Sequence, residues 1–258
     1  MHKLEIANLS KVFRKNGQNL IALQDTTMQI PAGKFVSIIG PSGCGKSTLF
    51  NMIAGLLKPS SGRILLDGID IQGKSGYVGY MLQKDLLLPW RTILNNVVIG
   101  LEIRGVPKKE AKEKALPLLN RYGLKGFEHH YPRELSGGMR QRAALLRTLL
   151  YDQDVILLDE PFGALDAQTR LMLQSWLMEI WKDFNKTILF VTHDIDEAIY
   201  LSDEIYVFSP RPGRLKDKIE IAIPRPRNDR TLLLPEFLQY KQKLLSMLRE
   251  EMPYEELM

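Results

Sequence analysis

The chain has 258 residues, 45% of them hydrophobic, with a net charge of +5 and one cysteine, Cys44. That length and composition support one large or two small packed domains. No apolar run approaches the roughly 20 residues of a membrane span. A lone cysteine excludes an internal disulfide, and the basic residues interleave with acidic ones (Lys108, Lys109, Lys112 and Lys114 with Glu110 and Glu113), which argues against a nucleic-acid partner.

The opening, Met1-His2-Lys3-Leu4-Glu5, lacks the apolar core of a signal peptide, so a cytoplasmic location is expected, with any membrane attachment made through a partner. The first 80 residues read as short strands, Lys3–Asn8, Ala22–Ile30, Phe35–Ile39 and Gly62–Leu66. Turns are expected at Asn16-Gly17, Pro31-Ala32-Gly33 and Asp67-Gly68. After the third strand stands Gly40-Pro41-Ser42-Gly43-Cys44-Gly45-Lys46-Ser47-Thr48, which opens a helix over Lys46–Ala54. Strand, glycine loop and helix are the context of a phosphate cradle. Glycines let the backbone wrap closely, successive N–H groups point inward, and the helix start adds its positive dipole end. Lys46 is expected to reach the β- and γ-phosphates of a nucleotide, and Ser47 to hold Mg²⁺.

Residues 81–150 read as helices, Thr92–Ile103, Lys108–Tyr122 and Ser136–Leu150, punctuated by Pro107, Gly123 and Pro132. The last is preceded by Leu135 and opens Ser136-Gly137-Gly138-Met139-Arg140-Gln141-Arg142. Ser136 suits an N-cap, and the two glycines leave the first N–H groups uncovered, which makes a second anion site. One nucleotide does not need two phosphate sites on one chain. Two chains packed head to tail do, each offering this helix to the nucleotide held by the other.

From Asp154 apolar strands alternate with helices: Val155–Leu158, Ala167–Phe184, Ile188–Val191, Asp194–Leu201 and Ile205–Phe208. That alternation predicts a parallel α/β sheet covered on both faces. The first of these strands runs into Asp159-Glu160, delivering two carboxylates to its C-terminal end. Neighbours on a strand point oppositely, so Asp159 is expected to support the Mg²⁺ shell and Glu160 to orient and deprotonate water. The tail helix, Leu233–Glu251, starts near Pro235 and carries Phe237, Leu238, Leu244, Leu245 and Leu248 as one stripe, packed on the body or offered to a membrane or partner helix.

Together, Gly40–Ser47, Gln83, Leu135–Gln141, Asp159-Glu160, Asp166 and His193 resemble the nucleotide-binding subunit of an ABC transporter, over residues 3–223. The resemblance implies an α/β fold: a P-loop (RecA-like) core, an N-terminal antiparallel β subdomain and an inserted α-helical subdomain at about 84–150. An ATPase domain would span 1–230 and a helical tail 231–258. ATP and Mg²⁺ are the implied ligands. Glu160, His193 and Lys46 would be catalytic, with Ser47, Gln83 and Asp159 toward the metal. The nucleotide would meet Gly40, Pro41, Ser42, Gly43, Cys44, Gly45, Lys46, Ser47, Thr48, Gln83, Ser136, Gly137, Gly138 and Asp166. Phe13 would stack on adenine, or else pack as a core side chain. Gln83 would sense the γ-phosphate, His193 would contact it, and Ala164-Leu165-Asp166 would cross between subunits. Met139 stands where the family most often has Gln.

Gln83–Trp90, Asp159–Asp166 and Ser209–Arg214 resemble importers of nitrate, sulfonates, taurine and related small organic solutes; thiamine-precursor importers share much of this pattern. Gln83–Trp90 would dock a transmembrane permease, or else pack in the helical core. The implied partners are a second ATPase subunit, that permease and, indirectly, an extracytoplasmic binding protein, with the chain peripheral on the cytoplasmic membrane face. No long regulatory domain is expected after Leu248. The alternative is a soluble ABC-type ATPase acting on nucleic acid or ribosomes.

Overall fold

A computed structural model describes residues 2–15, 17–163 and 165–249. Asn16 of the expected first turn, Ala164, and Glu250 and Glu251 of the expected tail helix lie outside them. In chain order the elements are β1 (His2–Lys15), β2 (Gln18–Pro31), β3 (Phe35–Ile39), α1 (Lys46–Ile53), β4 (Ser61–Leu66), β5 (Ile69–Asp70), β6 (Gly79–Met81), α2 (Ile93–Val97), α3 (Ile99–Ile103), α4 (Lys108–Arg121) and α5 (Gly137–Leu150). There follow β7 (Val155–Asp159), α6 (Ala167–Phe184), β8 (Thr187–Val191), α7 (Ile195–Leu201), β9 (Glu204–Phe208), β10 (Leu215–Glu220) and α8 (Pro235–Arg249). The chain forms two compact units, one of the residues up to Val78 with those from Asn185 onward, the other of Gly79–Phe184.

In the first unit, β2, β1, β4 and β5 lie in that order as an antiparallel sheet. β3 pairs in parallel with both β8 and β9, and β10 runs antiparallel to β9. Every residue of β3, β8 and β9 is buried, which is why these strands read as apolar runs rather than as alternation. The β1–β2 hairpin is far longer than the expected Lys3–Asn8 and Ala22–Ile30. Register shifts between Ile6 and Leu9 and between Leu9 and Lys11 interrupt the two-residue period, hiding the outer half of the hairpin from pattern reading. The Asp67-Gly68 turn is as expected, with φ of 49° and 78°, the left-handed pair that a two-residue hairpin loop requires.

In the second unit, β6 and β7 pair in parallel and α2–α6 supply the rest. The single helix expected over Thr92–Ile103 is two helices meeting at Val98. Thr92 caps the first through its hydroxyl, and buried Asn96 turns its amide back to the Leu88, Arg91 and Thr92 carbonyls while accepting from the Leu88 N–H. In the first unit, the tail helix buries Phe237 and Leu244, but Leu238 is exposed, so the expected stripe is narrower than its spacing suggests. Among the described residues no helix is long and apolar enough to cross a membrane.

Candidate functional site

In the first unit β3 runs into Gly40, which is buried so tightly that a Cβ there would lie 2.9 Å from Cβ of Phe208. The loop turns through left-handed Gly43 and Gly45, φ 75° and 105°. Gly45 is the N-cap of α1 and no side chain bonds the helix start, so the first N–H groups keep their donors for a ligand. The buried Lys46 ammonium lies inside the loop, donating to the Gly40 carbonyl at 2.7 Å and the Pro41 carbonyl at 3.0 Å, with Cys44 Sγ at 3.6 Å. Ser42 and Ser47 are exposed and Thr48 half-buried, while Cys44 is buried. A loop presenting donors and a cation suits a polyphosphate.

A second segment braces this loop. Gly213 joins the hairpin by donating to the Ala22 carbonyl and accepting from the Gln24 N–H, and Arg211 Nη2 donates to the Gly43 carbonyl at 3.1 Å. A Cβ at Gly213 would stand 1.8 Å from the Cys44 carbonyl oxygen. In the sequence, Ser209–Arg214 carries only a resemblance. The brace is visible only once residues about 170 positions apart meet. Phe13 is half-buried on the hairpin, with the Lys11 ammonium 5.1 Å from its ring centre. His193 is exposed in the bend between β8 and α7.

In the second unit β7 ends at buried Asp159, whose Oδ2 faces the Tyr80 hydroxyl at 3.4 Å. Burial, and then the charge of Asp159, push the Tyr80 phenol well above its ordinary range, so it remains a donor. Glu160 is not a strand residue. It turns out of β7 with φ 46°, a left-handed conformation costing a non-glycine residue about 1–2 kcal/mol. The bend, rather than strand alternation, separates the two carboxylates, which corrects the expected geometry. Gln83 Nε2 donates to Glu160 Oε2 at 3.2 Å, so the expected sensor and the expected base meet directly.

Ser136 caps α5, its hydroxyl accepting from the Met139 N–H at 3.3 Å. The two glycines after it have different causes. A Cβ at Gly138 would meet Thr169 Cγ2 at 2.9 Å, whereas at Gly137 nothing approaches nearer than 3.7 Å. Packing on α6 therefore demands Gly138, and only Gly137 keeps the helix start clear for an approaching group. Asp166 caps α6, its Oδ1 accepting from the Thr169 N–H at 2.9 Å. Hydrogen bonds from Thr169, the side-chain one foremost, hold its carboxyl below the usual range.

Residues to which the motifs gave no role of their own fasten the segment after Gln83 to α5. Arg140 Nε donates to Asp85 Oδ2 at 3.2 Å and its Nη1 to the Leu135 carbonyl, while Arg147 Nη1 donates to the Leu86 carbonyl at 2.7 Å. Leu86 is itself left-handed, φ 46°. Among the described residues no three His, Cys, Asp or Glu side chains gather as a metal-binding group. Ser47 of the first unit offers a hydroxyl, and Gln83 and Asp159 of the second offer an amide and a carboxylate, each an oxygen donor of the kind magnesium takes.

Residues 23–163 match the family model described as ABC transporter. A taurine import ATP-binding protein of Yersinia pestis is 50% identical over 200 residues, covering 78% of each chain. A nitrate import ATP-binding protein of Synechocystis is 42% identical over 256 residues, covering 96% of each. An ATP-binding cassette solved as a dimer in a post-hydrolysis state with ADP and phosphate matches with a TM-score of 0.75 at 30% identity, covering 86% of this chain and all of that one. The chain belongs to the ABC transporter family, as an ATP-binding subunit.

Proposed function

We propose that the chain works as one half of a head-to-tail pair, energising import of nitrate, a sulfonate, taurine or a related small organic solute. It is an ATPase, and the observation that carries its nucleotide chemistry is the start of α1, uncapped at left-handed Gly45 beside the buried Lys46 ammonium. Gly40–Thr48 would seat the phosphates, Phe13 would stack on adenine, and Ser47, Gln83 and Asp159 would face Mg²⁺. When bound, that ion would neutralise charge developing on the phosphate oxygens. Glu160 is the proposed base, oriented by Gln83, and His193 the proposed contact to the γ-phosphate. Ser136, Gly137 and Gly138 would close over the partner's nucleotide, with Asp166 at the crossing between subunits. ATP closes the pair and hydrolysis reopens it. The imported solute does not touch this chain.

The organisation proposed for these parts is an ATPase domain over 1–230, with its helical subdomain at about 84–150, followed by a helical tail. Leu82, Leu86 and Trp90 are exposed beside Gln83, Trp90 to 73%, and this apolar face is where a permease would seat the chain on the cytoplasmic side of the membrane. Leu87 packs inward. A solute-binding protein outside the membrane would act through the permease.

Mixing two inactive variants tests the composite site. Lys46→Ala loses its own nucleotide seat, and Ser136→Arg loses the lid it lends. Mixed pairs contain one intact site, so ATP turnover returns. Absence of recovery, with both variants folded and Ser136→Arg still binding ATP, overturns the head-to-tail arrangement.

A further inference from the structure

We infer that residues 223–241 form a clamp that sets the position of His193 through α7, making Arg227 a positioning residue for ATP turnover; this rests on the reading of His193 as the γ-phosphate contact. α7 is only two turns long, too short to hold its own geometry, and its last carbonyls have no partner within the helix. Arg227 supplies one. Its Nη1 donates to the carbonyls of Ile199 at 2.7 Å, Tyr200 at 3.0 Å and Ser202 at 2.7 Å, while Nε and Nη2 both donate to the Ile223 carbonyl. The Tyr200 hydroxyl returns a bond to the Arg227 carbonyl. Only a guanidinium offers enough donors in fixed directions to close a helix end in this way.

The other end of α7 is held as well. Asp194, next to His193, caps it by accepting from the Asp196 and Glu197 N–H groups. Thr192, on the other side of His193, donates to buried Glu197 at 2.6 Å and accepts from the Asp194 N–H. Lys241 of α8 reaches Asp196 at 2.7 Å. His193 therefore sits in a bend whose two flanking residues are bonded into α7, and α7 is gripped by the tail at both ends. Arg225 extends the grip, bonding the Leu201 carbonyl and Asp203, whose other oxygen accepts from the Phe35 N–H at the start of β3. β3 leads directly into Gly40, so the same tail segment steadies the strand that carries the phosphate loop.

The test uses the full chain with Arg227→Lys, Lys241→Ala and His193→Ala, each checked by thermal melting to be folded at the assay temperature. Lysine keeps the charge but not the fork, so Arg227→Lys should lower kcat by about tenfold while ATP affinity stays within about twofold. The imidazole resonances of His193, identified by their absence in His193→Ala, should shift in Arg227→Lys. Adding Arg227→Lys to His193→Ala should cause no further loss. Lys241→Ala should move the same resonances less and serves if Arg227→Lys does not fold. Unmoved His193 resonances in a folded tail variant overturn the clamp, as does a loss seen only in ATP affinity. Normal turnover by His193→Ala instead overturns the role given to His193, a separate result from the resonance shift.

Discussion

Two helices of this chain begin at glycine-bearing turns, and they are built for different work. α1 starts at left-handed Gly45 without a side-chain cap, with Lys46 folded back into the loop. α5 starts at Ser136 in extended conformation, and its hydroxyl has already taken the Met139 N–H. The Arg140 guanidinium there is engaged by the Leu135 carbonyl and Asp85 through Nη1 and Nε, with its Nη2 3.9 Å from where a Gly137 Cβ would stand. The first arrangement is a seat, with open donors and a charge. The second offers a dipole and a clear approach at Gly137, which suits a lid. Similar residue types at two helix starts therefore predict different affinities, because a cap that is satisfied internally has less to offer a ligand.

Neither helix start supplies the proposed base, Glu160, so Glu160→Gln should have the largest effect. Turnover should fall by about 10²–10⁴-fold with ATP binding retained; normal hydrolysis in steady-state assays would remove Glu160 as the base. The seat can be broken without touching it. Gly213→Ala drives a methyl into the Cys44 carbonyl, and should cost about 1–3 kcal/mol or more in denaturant melts and weaken binding of an ATP analogue.

The lid is sharpened by paired substitutions. Gly138→Ala should destabilise by about 1–3 kcal/mol through its clash with Thr169. Gly137→Ala should leave stability within about 1 kcal/mol yet lower turnover, because only the partner's approach is obstructed. Equal melting temperatures for the two would undo the distinction drawn between these glycines.

The smallest effect is expected at Asp166→Ala. The Asp166 carboxyl is lowered in the fold by its bonds from Thr169, so it contributes stability above the unfolded carboxylate value and loses it as pH falls through the folded one. Melts should show a modest deficit for the variant at neutral pH that closes in acid. A deficit unchanged across that range would mean that the charged cap is not the cause.

Much of the site is legible residue by residue. The loop from Gly40 to Thr48, the cap at Ser136 and Asp159 at the end of β7 stand where their spacing puts them, because each is a local device: a turn, a cap, a strand end. The left-handed turn of Glu160 was not legible, since nothing in the residue type asks for it. Nor was the difference between Gly137 and Gly138, which depends on the distant Thr169 of α6. The outer half of the β1–β2 hairpin escaped notice because bulges scramble its period.

The amino-acid order alone determined which backbone segments can cradle phosphate and which strands are buried, since glycine freedom and hydrophobic period act over a few residues. Tertiary structure decided what holds those segments in place: Arg211 and Gly213 against the phosphate loop, Asp85 against α5, Arg227 against α7. Those partners are distant in the chain, and an arginine or a glycine looks the same in sequence whether it braces a site or faces water. Only the packed carbonyl it meets tells the two apart.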